Sequence, residues 1–172
     1  MSIPIRRLGA DDLDTYREIR LAALKDSPDA FGTAWEEAQA RSDESFRDLL
    51  ARLAVFGAFA PEGRQIGLVA FSRFEGLRMQ HRGELISMYV RPEGRGRGVG
   101  LALVNAVLDH ARHQVLQLHL GVGTTNLPAI RLYQKAGFKP YGTEPRALFV
   151  DGRFIDEHLM VRFLDEGTRK ED

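Results

Sequence analysis

Arg95-Gly96-Arg97-Gly98-Val99-Gly100 lies between an extended-looking segment, 84–90, and a helical-looking one, 101–112. A glycine-rich turn that feeds a helix presents backbone N–H groups with no internal acceptor, at the positive end of the helix dipole. Such a turn is an anion site, best suited to phosphate. Glycine allows positive φ and close approach of the backbone to a ligand. Arg95 and Arg97 add charge-assisted contacts. The spacing excludes two common phosphate cradles. No Gly-Lys-Ser/Thr occurs, so this is not a P-loop. Counting six positions from Gly94, Gly96 or Gly98 ends on Val99, Leu101 or Leu103, so the dinucleotide fingerprint fails as well.

What remains is [Q/R]-x-x-G-x-G, as Arg95-x-x-Gly98-x-Gly100. A second stretch follows: Asn126-Leu-Pro-Ala129-Ile-Arg-Leu132-Tyr133-Gln-Lys-Ala-Gly137-Phe138. The two motifs, in this order and separated by a helix and a strand, resemble those of the GCN5-related N-acetyltransferase (GNAT) superfamily. The resemblance covers roughly residues 54–164 well and the N-terminal third loosely. It implies acetyl-CoA as cosubstrate, with the diphosphate held by Arg95, Gly96, Arg97, Gly98, Val99 and Gly100. It further implies that the backbone of Met88, Tyr89 and Val90 meets the pantetheine amides as an added strand would. Asn126 would bond the pantetheine arm, although a plain helix N-cap explains it equally.

The remaining order of elements reads as α+β, a three-layer arrangement with helices on both faces of a mostly antiparallel mixed sheet of about seven strands. Residues 2–8 form a short candidate strand. Asp11, Asp12 and Asp14 mark a helix start, and Leu13, Tyr16, Ile19, Arg20, Ala23 and Leu24 follow helical spacing up to Pro28. Residues 31–40 are ambiguous between a loop and a turn of helix. Ser42 caps a second helix with Phe46, Leu49, Leu50 and Leu53 on one stripe. Runs 54–60 and 66–74 flank the hairpin signal Pro61-Glu62-Gly63-Arg64, and 76–80 is a loop. Segment 115–122 is a strand with Leu116, Leu118 and Leu120 on one face and Gln117 and His119 on the other. Gly137 stops the Asn126 helix. Runs 147–150 and 154–163 flank Asp151-Gly152, the strongest short hairpin signal. The strands at 84–90 and 115–122, joined by a helix, form one parallel crossover. The resemblance implies that these two strands splay apart to admit the pantetheine.

At 172 residues the chain is expected to be one domain, 1–164, followed by a polar tail, 165–172. Lys+Arg and Asp+Glu are equal at 24 each, which argues against a nucleic-acid partner despite the Arg-Gly repeats. Cysteine is absent, so a thiol nucleophile, an acetyl-cysteine intermediate and a thiolate metal site are excluded. No long apolar run or signal-peptide pattern is present, so no membrane partner is expected and the cytoplasm is the default compartment. The resemblance is compatible with a homodimer, for which the residues supply no argument of their own.

Acetyl transfer to an amine requires a held thioester, a neutral amine, a stabilised oxyanion and a protonated leaving thiolate. A lysine-like amine is only about one part in 10³ neutral at pH 7, which adds about 4–5 kcal/mol to the barrier unless the site assists. By resemblance, Glu84 is the candidate base, acting through water. Strand period 2 places it on one face with Ile86, Met88 and Val90. The plain alternative is a strand-end carboxylate that is simply solvated or is paired with Arg82. Tyr133, seven residues beyond Asn126 and on nearly the same helix face, is the candidate acid for the thiolate. Its alternative is a packed aromatic with a bonded tip.

Other features carry weaker expectations. His110 and His113 suit a helix C-terminus better than a metal, so no metal is expected. His119 is more simply a satisfied sheet histidine than an acceptor-site group. Asp156 and His158 share one strand face and Glu157 the other; either one of those faces reaches an acceptor pocket or, more simply, the charges protect a strand edge from unwanted pairing. Phe31, Trp35, Glu36 and Glu37 form either an aromatic and acidic wall for a cationic amine or a staple for the second helix. The reading that joins these features is an N-acetyltransferase moving the acetyl group of acetyl-CoA to a primary amine, small or peptidic, by direct transfer in a ternary complex. The alternative is a non-catalytic acyl-CoA sensor of the same fold.

Overall fold

A computed structural model describes residues 2–165. The polar tail expected beyond Asp165 lies outside the described residues. Seven strands form one sheet in the order β1-β2-β3-β4-β5-β7-β6. They are β1 (Ile5–Arg7), β2 (Ala54–Phe59), β3 (Gln65–Arg73), β4 (Arg82–Val90), β5 (Gln117–Gly123), β6 (Lys139–Val150) and β7 (Arg153–Phe163). Every neighbouring pair is antiparallel except β4 and β5. The helices are α1 (Leu13–Asp26), α2 (Trp35–Gln39), α3 (Asp43–Arg52), α4 (Val99–Ala111) and α5 (Leu127–Lys135).

Two apolar layers sandwich the sheet. On one face Val99, Leu103, Val104, Val107 and Leu108 of α4 and Tyr133 of α5 pack on Val69, Leu85, Leu118 and Leu120. On the other, Tyr16, Ile19, Ala23 and Leu24 of α1 and Phe46 and Leu50 of α3 pack on Val55, Leu68 and Tyr89. Each fully buried side chain of this kind contributes about 1.5–3 kcal/mol. Local signals behave as their chemistry dictates. Ser42 Oγ accepts from Ser45 N at 3.2 Å and caps α3. Gly137 leaves α5 at φ 89°. The ambiguous stretch 31–40 resolves into a bend followed by the short helix α2.

Several boundaries and faces depart from sequence expectation. The first strand shrinks to Ile5–Arg7, and the glycine turn already becomes helix at Val99. Strand β6 begins at Lys139 rather than near 147, because pairing with β7 on either side of two register breaks outweighs the low β-propensity of Pro140, Gly142 and Glu144. Leu116 precedes β5 and is 52% exposed, so it does not share the inner face of Leu118 and Leu120.

The largest correction is in β4. Its register with β3 runs through Ile86↔Ala70 and resumes at Tyr89↔Leu68, leaving Ser87 and Met88 opposite the single residue Val69. Ser87 takes φ 57°, a bulge conformation rare outside glycine. The extra residue inverts the alternation. Glu84 and Ile86 therefore keep one face, while Met88 and Val90 turn to the α4 side instead of sharing it.

Candidate active site

Strands β4 and β5 pair only at Arg82↔Gln117, Gly83↔Leu118 and Glu84↔His119. Beyond Glu84 the two strands separate, one continuing to Val90 and the other to Gly123. A cavity of about 370 Å³ opens in this gap, lined by Glu84 to Met88 on one side and Gly121 to Gly123 on the other. Asn126 and Tyr133 of the α5 segment, Leu148 of β6, Glu157 of β7, and Arg20 and Phe31 from the N-terminal third complete it. The splay expected between the parallel strands is thus present, and the cavity is its consequence.

The glycine turn lies at the end of β4. Gly96 and Gly98 hold φ 70° and 80°, and a Cβ on either would meet only open space. Glycine is required there by backbone conformation, not by packing. The first backbone bond of α4 is Ala102 N to Gly98 O. Among the described residues the N–H groups of Gly96, Arg97, Gly98, Val99 and Gly100 find no acceptor outside regular structure, and α4 has no side-chain cap. This row of amides fits a diphosphate. Gly100 packs close instead: a Cβ there would stand 3.0 Å from Leu132 Cδ2 and 3.3 Å from Met88 Cε.

A family model described as Acetyltransferase (GNAT) family matches residues 17–138. The chain belongs to that family. L-methionine sulfoximine/L-methionine sulfone acetyltransferase of Pseudomonas paraeruginosa is 31% identical over 183 residues, covering 96% of each chain. A GNAT-superfamily phosphinothricin acetyltransferase from Sinorhizobium meliloti, solved in complex with acetyl-CoA, superposes with a TM-score of 0.80 at 26% identity, over 99% of this chain and 93% of that one. A GNAT-family acetyltransferase from Streptococcus pneumoniae superposes with a TM-score of 0.84 at 23% identity, over 94% and 99% of the two chains. This protein is accordingly an acetyl-CoA-dependent N-acetyltransferase. Among the described residues no group of three or more His, Cys, Asp or Glu side chains could hold a metal ion, and no helix is long and apolar enough to cross a membrane.

Within this GNAT fold the sequence candidates separate into distinct positions. Tyr133 is buried, with its ring edge-on to Phe138 at 6.0 Å. Its hydroxyl has no hydrogen-bond partner among the described residues, and burial pushes the phenol well up from its ordinary value. Asn126 Oδ1 accepts from Ala129 N at 3.3 Å, so it caps α5 while also lining the cavity. The Arg95 guanidinium is engaged: it pairs with Asp26 at the end of α1, and its Nε donates to Val90 O at 3.0 Å. The Arg95 N–H also donates, to Pro92 O at 3.2 Å. Arg97 makes no ion pair among the described residues, so of the two arginines it is the one with an uncommitted guanidinium.

Burial pushes the Glu84 carboxyl up from the usual range, opposed by the nearby Arg82. Glu157 is raised by burial first and then by the like charges of Glu144 and Glu84. The cavity therefore holds two carboxylates of elevated pKa, Glu84 on β4 beside the gap and Glu157 on β7, one strand beyond β5. Of the last-strand candidates it is the Glu157 face that reaches the cavity. Asp156 Oδ1 instead accepts from Arg146 N at 2.7 Å, tying down a bulge in β6, and His158 Nδ1 lies 3.0 Å from Thr143 Oγ1. His119 is a sheet histidine: its ring contacts Gln117 and Tyr141 and does not line the cavity. Of the proposed aromatic and acidic wall, Phe31 alone lines the inner cavity. Trp35, Glu36 and Glu37 border a second, outer cavity of about 770 Å³ that shares Phe31, Gly32, Thr33 and Leu148 with the first. Glu37 Oε2 is occupied capping Ala34 N at 3.0 Å, and Trp35 lies under Lys25.

Arg20 holds its expected place on the buried stripe of α1 with Tyr16, Ile19, Ala23 and Leu24, but it also lines the cavity, a role that sequence reasoning missed. An arginine on that stripe is itself the signal, since guanidinium is almost never buried without a partner.

Proposed function

We propose that this enzyme acetylates the amino group of a small molecule by direct transfer from acetyl-CoA, with both substrates bound at once. The observation that carries the reading is one cavity into which the strand gap, the α5 tyrosine and two raised carboxylates all open. Acetyl-CoA supplies an acetyl group on a thioester and a thiolate leaving group. The backbone amides from Gly96 to Gly100, with Arg97, hold the diphosphate, and β4 from Met88 to Val90 offers its free edge to the pantetheine. The chain has no cysteine, so a covalent acetyl-thiol relay has no residue to form on.

Glu84 takes the proton of the incoming amine, directly or through water. Its burial brings a carboxylate closer to the basicity the task needs, because an ordinary one is too weak a base at pH 7. Glu157, across the gap, shares the local negative charge that attracts an ammonium acceptor. Tyr133 stays protonated across the working range, since burial disfavours its phenolate. It is therefore always available to donate a hydrogen bond to the departing thiolate, although the same burial makes it a weaker acid and full transfer of its proton runs uphill. The backbone of Ser87 and Met88, left out of register at the bulge, offers its amides to the developing oxyanion. The spermidine and L-methionine sulfoximine acetyltransferases among the relatives support a small amine as acceptor.

Thiol release from acetyl-CoA, followed across a panel of small amines, tests the reading. Amine-dependent release that disappears in Glu84→Gln supports it. Tight acetyl-CoA binding with no release for any amine would instead make the protein a sensor.

A further inference from the structure

Arg20 lines the inner cavity and is 8% exposed. Its Nη1 is buried with no hydrogen-bond partner, and no carboxylate among the described residues pairs with the guanidinium. The ring of Phe31 lies under it, with the guanidinium carbon 5.1 Å from the centroid. Its charged neighbour is Arg41, which repels it and is itself in no ion pair among the described residues; Tyr16, also adjacent, is a neutral phenol. A guanidinium cannot shed its proton within a protein's working range, so burial leaves a charge in place rather than removing it. Leaving such a charge unpaired is among the costliest arrangements a fold can keep.

The other ionisable side chains around the cavity are Glu84, Glu157 and Tyr133. The charges that perturb the two glutamates come from Arg82, Glu144 and Glu84, and not from Arg20. The cavity is thus polarised. One end, between β4 and β7, is negative and carries the amine chemistry. The other, under α1, is positive and unmatched.

We propose that Arg20 grips a carboxylate on the acceptor, so that the enzyme selects small amino acids over simple amines. This rests on the acetyl-transfer reading above and adds to it the acceptor's second recognition group. The guanidinium fork matches a carboxylate bidentately, and the acceptor's amino group then lies toward Glu84 and Glu157. The side chain of such an acceptor has room to continue past Phe31, Gly32 and Leu148 into the outer cavity.

The test compares free L-amino acids, L-methionine sulfone among them, with their carboxamides, in wild type, Arg20→Met and Arg20→Lys. Wild type is expected to favour the acid over its amide by about 10² or more in kcat/KM, mainly through KM. Arg20→Met brings that ratio toward one, and Arg20→Lys restores part of it. The thermal midpoint of Arg20→Met equals or exceeds that of wild type, because an unmatched buried charge has been removed. Equal turnover of acid and amide by wild type, or an unchanged ratio in Arg20→Met, overturns the proposal while leaving acetyl transfer intact. Should no amine be acetylated, the transfer reading fails by itself. Calorimetric titration of L-methionine sulfone and its carboxamide into the CoA-saturated protein then decides the Arg20 assignment: tighter binding of the acid that Arg20→Met abolishes upholds it, and equal binding overturns it.

Discussion

A Cβ on Gly121 would stand 2.7 Å from Glu157 Oε2, so the Glu157 carboxylate lies against bare backbone of β5. The neighbouring strand has been stripped of a side chain to let a carboxylate into the gap. Gly121 has no positive φ, so its role is this close approach and not backbone freedom. In Gly121→Ala the obstructing atom is the end of a flexible side chain, and the fold adapts by moving it. The variant is expected to fold with a midpoint close to wild type. With Glu157 turned away from Glu84, part of their mutual repulsion is relieved, so the acid limb of the pH–rate profile moves to lower pH. An unmoved limb would separate Glu157 from the chemistry.

Glu84→Gln is expected to lower kcat about 10²–10³-fold while acetyl-CoA affinity is retained. Wild-type activity is expected to fall on acidification through the raised carboxyl range, because the proposed base is lost as it protonates. A variant that keeps both its rate and that acid limb would remove Glu84 from the base role.

The same carboxyls set a stability trend. Their folded-state pKa values are raised, so the stability they contribute is fully present below the ordinary glutamate range and is lost as pH rises through the folded values. Thermal midpoints of Glu84→Gln and Glu157→Gln should therefore exceed wild type at pH 8, with the gap closing as the pH is lowered. A gap that opens on acidification instead would contradict burial as the cause.

Tyr133→Phe removes a hydroxyl with no hydrogen-bond partner among the described residues and leaves the ring contact with Phe138. Turnover should drop at least about tenfold with acetyl-CoA affinity little changed, as expected for a contact made at thiolate departure. Equal loss of affinity would move Tyr133 to a binding role.

Gly98→Val forces a β-branched residue to φ near 80° at the N-cap of α4. No neighbour lies within 4 Å, so packing does not suffer, but the turn must reshape and its row of amides disperses. Calorimetry should detect no acetyl-CoA binding by a protein that still melts cooperatively. Wild-type affinity in this variant would take the turn out of the diphosphate site.

The pattern of elements was legible because each carried its own local chemistry: Ser42 as a cap, Gly137 as a stop, Asp151-Gly152 as a hairpin turn. Where reading failed, a non-local pairing had overruled a local rule. Period 2 put Glu84 with Met88, and the bulge at Ser87 separated them. Weak strand formers hid the first half of β6, which exists because β7 lies beside it. Arg95, free in the motif, is tied to Asp26 of α1, 69 positions earlier.

From the chain alone the glycine turn proposed to hold the cosubstrate could be read, since it consists of adjacent residues whose backbone angles and helix position are encoded one by one. The acceptor cavity could not. Arg20 and Glu157, 137 positions apart, come to one space only when α1, β4, β5 and β7 pack together. Two bulges, one at Ser87 and one between Glu144 and Leu148, then re-aim side chains that alternation would have pointed elsewhere. Charge buried without a partner is a property of that assembled space, and no spacing along the sequence records it.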